Sequence, residues 1–344
     1  MQNTVSQVPR WLAVGMLAAL GMAVAAEPVT EPPVGQPQEV ITPEWQATQY
    51  LGLGKWNELE ALMLKLTASG ERSQDGRYRL FMATTAISDW LERWDEDHDS
   101  IFDGKFAEYE REVPGSAFAP IVKAMQLNMA AWRARGSGYM STVTPEGRKH
   151  FERRNRKAWA ALQEAKERSS RIPTWYEQAI HVGMDVGIPD AQITALLDEG
   201  IRRFPGFHSI YFAYMRQFAP QWGGDYDSAR RFIEARVSAK TNPEGEVLYA
   251  RLYWVLDQYS GSDVDFFEES LVSWPRMRKG FELMMKGFPD SKWNRSNFAA
   301  FACRVGDGST YFKWRMGLRA GEFNLAAPQG LSMEVCDARF SREA

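Results

Sequence analysis

The stretch FPGFHSIYFAYMRQFAPQWGGDYDSARRF, residues 204–232, decides the fold, because one apolar helix ends in it and a second helix begins. Phe218 closes the first helix, and Gly223 with Gly224 allows a reversal that a residue with a Cβ atom would resist. Asp225 fits the N-cap of the next helix. That helix has an apolar stripe at helical spacing, made of Tyr226, Ala229, Phe232, Ile233 and Val237.

The same two glycines could instead form a ligand loop, because glycine amides at a helix N-terminus hold phosphate groups. Such loops usually have a lysine nearby, and residues 218–232 contain none. We therefore predict a joint between helical hairpins, with Trp222 packed into it. The structural motif of this joint consists of Pro220, Trp222, Gly223, Gly224 and Asp225.

Helical periodicity recurs along the chain, whereas strand-like alternation is scarce. The segment GKWNELEALMLKLTASG, residues 54–70, places apolar residues on one face and ends at Gly70, which suits a C-cap. Thr144 and Pro145 are typical of the N-cap and first position of another helix. Joints elsewhere each place a proline where a helix can start, namely Pro114, Pro173, Pro205, Pro243 and Pro289.

The later joints are spaced by about the length of one helix pair with its turns, which is typical of helical repeats. A helical hairpin cannot bury its apolar face alone, so its neighbours must stack against it. The sequence therefore predicts an all-α fold of stacked antiparallel helical hairpins, a tetratricopeptide-like solenoid. A non-repeating helical domain is the alternative.

The N-terminal residues predict export. In residues 1–26, Arg10 precedes an uncharged run that ends in small residues, the pattern of a signal peptide cleaved after Ala25 or Ala26. An uncleaved membrane anchor is the alternative, but the run is shorter than the roughly 20 residues that span a bilayer. With no later run of spanning length, we expect a periplasmic or secreted protein without a membrane span after cleavage.

Three further segments follow the predicted signal peptide. Prolines recur through residues 27–42 and make them an extended linker. Glycines and a proline interrupt the helical pattern at residues 134–147. We therefore predict N-terminal helical hairpins at 43–134 and a C-terminal helical repeat domain at 135–344.

Charge argues against nucleic acid as a partner. The formal net charge is −3, from 41 Lys and Arg against 44 Asp and Glu. Such a balance favours solubility and gives no sign of a nucleic-acid or anionic-membrane partner. We interpret the basic run RKHFERRNRK, residues 148–157, as the solvated face of a helix rather than an anion site.

The chain has two cysteines, Cys303 and Cys336. In an oxidising compartment, an even pair predicts a disulfide. Such a bond would stabilise the fold by roughly 3–4 kcal/mol in the chain-entropy model. Two buried thiols too far apart to bridge are the alternative.

Catalytic and metal-binding patterns are scarce. No histidine has the spacing of a paired ligand, so we interpret His98, His150, His181 and His208 as isolated surface or core residues. Residues 95–106 offer Asp95, Asp97 and Asp99 like a calcium loop, but lack its glycine and its final glutamate. Phosphate loops, nucleophile elbows and dinucleotide fingerprints do not occur. We therefore predict no catalytic, cofactor-binding or metal-ligating residue and no cofactor.

Aromatic residues are the unusual part of the composition, with 13 Trp, 12 Tyr and 19 Phe. Because they mostly follow helical stripes, we expect the majority to form the core. A minority could line a concave face, where Tyr, Trp and Arg anchor peptide or protein partners well.

Four segments together carry a resemblance to a known family. They are the region from Ala134, the stretch PTWYEQAIHVGMDVG from Pro173, residues 204–232 and the later NFAAFACRVGD from Asn297. In this order they resemble the bacterial domain-of-unknown-function 4034 family over roughly residues 105–340. Gln221 and Asp225 depart from the family's pattern of Arg before W-G-G and Ser after it. The resemblance implies a tetratricopeptide-like helical fold and no catalytic residue.

We expect an exported, non-enzymatic protein-binding or scaffold protein of the bacterial cell envelope, with an unidentified protein or peptide partner. The alternative is an envelope hydrolase whose acidic active site no motif reveals. Glu269–Ser270 matches the dipeptide of peptidoglycan-cleaving transglycosylases, but the glycine-rich segment that follows it in those enzymes is absent. A small-molecule or ion sensor is a third possibility.

Overall fold

The computed structural model describes residues 42–93, 99–136, 138, 140–260, 265–323 and 331–341. Within these residues the chain forms 17 α-helices and no β-strand, so the predicted all-α class is confirmed. An isolated antiparallel bridge joins Arg72 and Tyr78. The predicted signal peptide at 1–26, and the linker at 27–42 apart from its last residue, lie outside the described residues.

The chain divides into two compact units. The N-terminal unit comprises 42–71 and 79–175, and the C-terminal unit comprises 72–78 and 176–341. Helices of the N-terminal unit are α1 (Pro43–Gly52), α2 (Trp56–Ser69), α3 (Arg79–Glu92), α4 (Asp99–Glu112), α5 (Ala119–Arg135), α6 (Pro145–Glu164), α7 (Lys166–Ser169) and the first turn of α8 (Pro173–Val186).

The C-terminal unit contains the short segment 72–78, the rest of α8 and nine further helices. They are α9 (Asp190–Arg203), α10 (His208–Met215), α11 (Tyr226–Val237), α12 (Glu246–Tyr259), α13 (Phe266–Glu269), α14 (Trp274–Gly287), α15 (Lys292–Val305), α16 (Gly308–Arg315) and α17 (Met333–Ser341). Two 3₁₀ turns, Arg216–Phe218 and Pro220–Trp222, lie between α10 and α11.

Helices pack mainly on the next helix in the chain or on the next but one. In the N-terminal unit α1 packs on α2 and α3, α3 on α5, and α5 along α6. In the C-terminal unit α10 packs on α9 and α12, α12 on α11 and α14, and α15 on α14 and α16. Stacked hairpins have this packing order. The solenoid itself stays a prediction, as does the boundary between 43–134 and 135–344, whose flanking helices α5 and α6 both belong to the N-terminal unit.

Helix ends follow the local chemistry of the sequence. The Thr144 side chain accepts from Gly147 N at 3.0 Å and caps α6, and Gly70 ends α2 in the left-handed conformation with φ 58°, both as predicted. Pro173 is the first residue of α8.

The prolines of the later joints lie earlier than predicted. Pro205 and Pro289 lie three residues before α10 and α15 begin. Each occupies the second position of a tight turn, in which Phe204 O accepts from Phe207 N and Phe288 O accepts from Ser291 N. Proline fixes the φ that this turn position needs, so it shapes the turn and leaves the N-cap to a later residue.

Aromatic rings fill the core of each unit. The largest fully buried side chains are aromatic, as expected from the helical stripes. In the N-terminal unit the Trp56 and Tyr109 rings stack with centroids 4.9 Å apart. In the C-terminal unit the Phe281 and Phe298 rings stack at the same separation.

The basic run at residues 148–157, predicted to be the solvated face of a helix, is buried at its centre. Arg154 and Asn155 are buried, and Arg154 Nη1 donates to the carbonyl of Ala130 on α5. The run therefore both faces solvent and ties α6 to α5, because a guanidinium on a long stem reaches the backbone of the neighbouring helix. Among the described residues, no helix combines the length and the apolar character needed to cross a membrane.

Candidate functional site

The predicted disulfide is present. Cys303 on α15 and Cys336 on α17 are joined with an S–S distance of 2.04 Å and a Cα–Cα distance of 5.9 Å. Both cysteines are fully buried, and Tyr311 and Phe340 belong to the same apolar cluster. The bond therefore ties the last described helix to the body of the C-terminal unit.

The predicted W-G-G motif forms a compact turn between α10 and α11. Pro220 and Trp222 lie in a 3₁₀ turn that Gly223 ends with φ 84°, a left-handed conformation. A Cβ atom on Gly224 would lie 2.2 Å from the carbonyl oxygen of Gln217. The Asp225 side chain accepts from Ser228 N at 2.7 Å, so it caps α11 as predicted. The backbone reversal requires both glycines.

A buried polar cluster borders this turn. Glu177, His181 and Asp185 are spaced by four residues on α8 and so lie on one face of it. Arg216 Nη2 donates to Asp185 Oδ1 at 2.8 Å and to the His181 carbonyl at 3.3 Å. The Arg216 Cζ atom also lies 5.9 Å from the centroid of the Trp222 ring. We call this set, with the adjacent Ser209 of α10, the α8 cluster.

Glu177 is the titrating group of the α8 cluster. Its Oε2 atom and the Ser209 hydroxyl are buried, and neither has a hydrogen-bond partner among the residues that the structure describes. Burial raises the pKa of Glu177 to about 7, and the Ser209 hydroxyl, which lies near the carboxyl without a well-formed hydrogen bond to Oε2, opposes this shift. A carboxyl with a pKa near 7 exchanges its proton at neutral pH, which general acid–base chemistry requires.

Two other side chains of this region, His181 and Tyr259, stay neutral at pH 7. Burial, followed by the charge of Arg216, lowers the pKa of His181 to about 3. Burial raises the pKa of Tyr259, at the end of α12, to about 12, with Arg216 opposing the shift and Glu177 adding to it. The α8 cluster therefore combines one buried ion pair, Arg216–Asp185, with one carboxyl that can gain or lose a proton.

A second buried cluster, which we call the Glu244 cluster, joins segment 72–78 to α10 and α12. Glu244 Oε1 accepts from Arg72 Nη1 at 2.9 Å. Glu244 Oε2 accepts from His208 Nε2 at 2.5 Å and from Arg251 Nε at 3.3 Å. The guanidinium of Arg72 also lies 4.3 Å from the centroid of the Tyr78 ring. One carboxylate thus serves three donors from three parts of the C-terminal unit.

The pKa shifts of Glu244 and His208 determine which of the two side chains is charged. Burial opposes the ionisation of Glu244, yet the hydrogen bonds from His208 and Arg72 and the charge of Arg251 hold its pKa well below the usual range. Burial, followed by Arg251, lowers the pKa of His208 to about 4. His208 is therefore a neutral donor, and Glu244 is the shared anion.

The prediction that the histidines are isolated surface or core residues is correct only in part. His181 and His208 are core residues, but each lies in a polar cluster rather than alone. His150 lies on α6 with Nε2 2.6 Å from Glu146 Oε1. His98 and two aspartates of the acidic loop, Asp95 and Asp97, lie outside the described residues. In the part of the chain that the structure describes, no three His, Cys, Asp or Glu side chains converge as a metal site would need.

Sequence reasoning missed both clusters. The four-residue spacing of Glu177, His181 and Asp185 within PTWYEQAIHVGMDV is a visible signal, because three polar residues share one face of an otherwise apolar helix. The Glu244 cluster leaves no such signal, since Arg72 and Glu244 are 172 residues apart.

Comparison with known proteins identifies no relative of this chain. No protein-family sequence model matches the chain. Neither a curated protein nor a solved structure is significantly similar to it.

Proposed function

We propose that the protein is an exported, non-enzymatic binding or scaffold protein of the bacterial cell envelope that takes a protein or peptide partner. Export is supported by the sequence pattern of residues 1–26 and by the Cys303–Cys336 disulfide, since such bonds persist in oxidising compartments. The resemblance to the domain-of-unknown-function 4034 family, with its tetratricopeptide-like fold, belongs to the same proposal.

The observation that carries the binding role is an exposed apolar pair at the C-terminal end of α16. Phe312 and Met316 are four residues apart on and directly after α16, and are 45 % and 69 % exposed. Arg315 between them forms an ion pair with Asp337 of α17, which the disulfide fixes to α15. Apolar side chains held at the surface by a rigid element are typical of partner contacts.

The test is partner capture from periplasmic extract with the Phe312→Ser, Met316→Ser double variant. We expect the wild type to retain a specific partner. The variant should capture at least tenfold less of this partner, because apolar anchors dominate such contacts. Leu53→Ser is the matched control, since Leu53 of the N-terminal unit is 46 % exposed. Equal capture by the three proteins would argue against this surface, and capture by none of them against the binding role.

The α8 cluster favours a second candidate function, an envelope hydrolase. Glu177 would act as the general acid, because burial raises its pKa to about 7 and its Oε2 has no partner among the described residues. Arg216 lies in the same cluster and could stabilise a developing negative charge.

Turnover of cell-wall fragments separates the two candidates. If the protein is a hydrolase, Glu177→Gln should hydrolyse cell-wall fragments about a hundredfold or more slowly than the wild type, since general acid catalysis contributes factors of this order. Wild-type protein that retains a partner and releases no product supports the binding role. Turnover that Glu177→Gln abolishes, without any captured partner, supports the hydrolase.

A further inference from the structure

The solvent-facing side of α6 in the N-terminal unit carries a row of three cations. Lys149, Arg153 and Lys157 are spaced by four residues, so they follow one another along the same face of the helix, and all three are exposed. None of them has an ion-pair partner among the residues that the structure describes. We call this row the α6 stripe.

The acids nearest to the α6 stripe on the same helix have other partners. Arg153 Nη2 lies 3.1 Å from His150 Nδ1, and His150 Nε2 lies 2.6 Å from Glu146 Oε1. Because arginine can only donate, Nδ1 accepts, and Nε2 carries the proton that Glu146 accepts. Glu152 pairs with Arg156 at 2.9 Å. The hydrogen bond to His150 thus orients Arg153, and no described carboxylate binds its charge.

The spacing of the α6 stripe is unfavourable for the helix itself. Like charges four residues apart destabilise a helix, and the stripe contains two such pairs, Lys149–Arg153 and Arg153–Lys157. Packing does not require these cations, since the buried residues of α6, such as Ala158 and Leu162, lie on the opposite side. Side chains that lower local stability without packing on anything are typical of a functional surface.

The net charge of the whole chain conceals a local excess of positive charge here. The chain has a formal net charge of −3, yet residues 145–171, all of them described, contain nine Lys and Arg against four Glu. The acidic helix α4 packs on α2 and α5, whereas α6 packs on α5 and turns the stripe away from it. Because electrostatic attraction acts within about a Debye length, this local excess decides what the surface attracts.

We infer that the α6 stripe binds the anionic headgroup layer of a phospholipid membrane. A straight helix brings a row of cations to a plane of phosphate groups together, and each cation adds to the attraction. Protein partners are held mainly by apolar or aromatic anchors, and none of the large exposed apolar side chains of the described chain belongs to α6. A headgroup layer needs no such anchor, so the stripe favours a lipid surface over an acidic protein.

The test is co-sedimentation of exported protein, purified from periplasmic extract, with vesicles of equal parts phosphatidylcholine and phosphatidylglycerol. Vesicles of phosphatidylcholine alone are the neutral comparison, and we expect binding to the anionic vesicles only. Binding should disappear between about 0.1 M and about 1 M salt, because the Debye length falls from about 10 Å to about 3 Å. The triple variant Lys149→Gln, Arg153→Gln, Lys157→Gln should bind about a hundredfold more weakly, since each cation contributes roughly fivefold.

Urea unfolding of the same triple variant separates this role from a structural one. Because the substitutions remove two like-charge pairs, the variant should be at least as stable as the wild type while it loses binding. Loss of stability in proportion to the loss of binding would make the cations structural and overturn the site.

The matched control is the triple variant Lys240→Gln, Lys279→Gln, Lys286→Gln, which removes the same charge from exposed positions of the C-terminal unit. It should bind the anionic vesicles like the wild type. Equal losses in the two triple variants, equal binding to anionic and neutral vesicles, or no binding at low salt would overturn the site.

Poly-glutamate is the competing probe. If it binds the wild type more tightly than the anionic vesicles do, the stripe takes an acidic protein segment, and the lipid assignment is overturned. None of these outcomes touches capture through Phe312 and Met316, so failure of this site and failure of the proposed function remain distinguishable.

Discussion

Glu244 Oε1 and Arg72 Nη1 lie 2.9 Å apart although 172 positions separate the two residues in the sequence. The same carboxylate also accepts from His208 and Arg251. Glu244 therefore fixes segment 72–78, α10 and α12 to one another through a single buried anion.

We expect Glu244→Gln to destabilise the protein by about 3–5 kcal/mol, because it leaves two guanidinium groups facing each other without a carboxylate. Urea unfolding at pH 7 measures this change. Glu246→Gln is the control, since its partner Arg276 keeps a second carboxylate, Glu234 at 2.6 Å, and the loss should stay below about 1 kcal/mol. Equal losses in the two variants would contradict the shared role of Glu244.

Acid should remove the stabilisation that Glu244 provides. Its folded-state pKa lies below the value of about 4.3 for an unfolded chain, so the contribution is complete above about pH 5. It is lost as the pH falls through 4.3 towards the folded pKa. The difference in unfolding free energy between the wild type and Glu244→Gln should therefore shrink from pH 6 to pH 3, and a constant difference would rule out the proposed ionisation.

Gly224→Ala tests whether the W-G-G turn is a structural joint. The added Cβ would lie 2.2 Å from Gln217 O and 2.4 Å from the carbonyl carbon of Phe218, and both are backbone atoms. We expect a loss of more than about 2 kcal/mol in urea unfolding. Gly104→Ala in α4 is the control, since its added Cβ would meet nothing within 4 Å outside the neighbouring residues and backbone of its own helix, and it should stabilise by up to about 1 kcal/mol. Unchanged stability with loss of binding would mark the turn as a ligand loop instead.

Local chemistry made part of this fold predictable from the sequence. Gly70, Thr144 and Asp225 act within one turn of their own helices, so their cap roles could be predicted from neighbouring residues. The ion pair of Glu244 with Arg72 could not be predicted in this way, because the residues next to Glu244 in the sequence do not indicate which distant segment packs against it. Glu177 lies between these cases, since its spacing from His181 is visible whereas its burial near Ser209 depends on the packing of the helices.

The disulfide should account for a measurable share of the stability. Denatured, exported protein should show no free thiol, and reduction should lower the unfolding free energy by about 3.5 kcal/mol for a loop of 33 residues. The double variant Cys303→Ser, Cys336→Ser should match the reduced protein. Titration of two thiols per chain in the exported protein would contradict the bond.

Glu177→Gln should stabilise the protein at alkaline pH, opposite in sign to the effect of Glu244→Gln. The pKa of Glu177 is about 7 in the folded protein and about 4.3 in an unfolded chain. Its carboxyl therefore favours the folded state below pH 4, and this contribution is lost as the pH rises to 7. Because glutamine stays neutral, we expect Glu177→Gln to be about 3–4 kcal/mol more stable than the wild type at pH 8 and equal to it at pH 4.

Asp185→Asn, on the same face of α8, is the control with the opposite expectation. It removes the carboxylate from Arg216, whose guanidinium is buried with it, and so should destabilise the protein at pH 8. If Glu177→Gln also destabilises at pH 8, the carboxylate of Glu177 has a partner that stabilises its charge. In that case Glu177 also cannot be the general acid, because a carboxyl that stays ionised at neutral pH has no proton to donate.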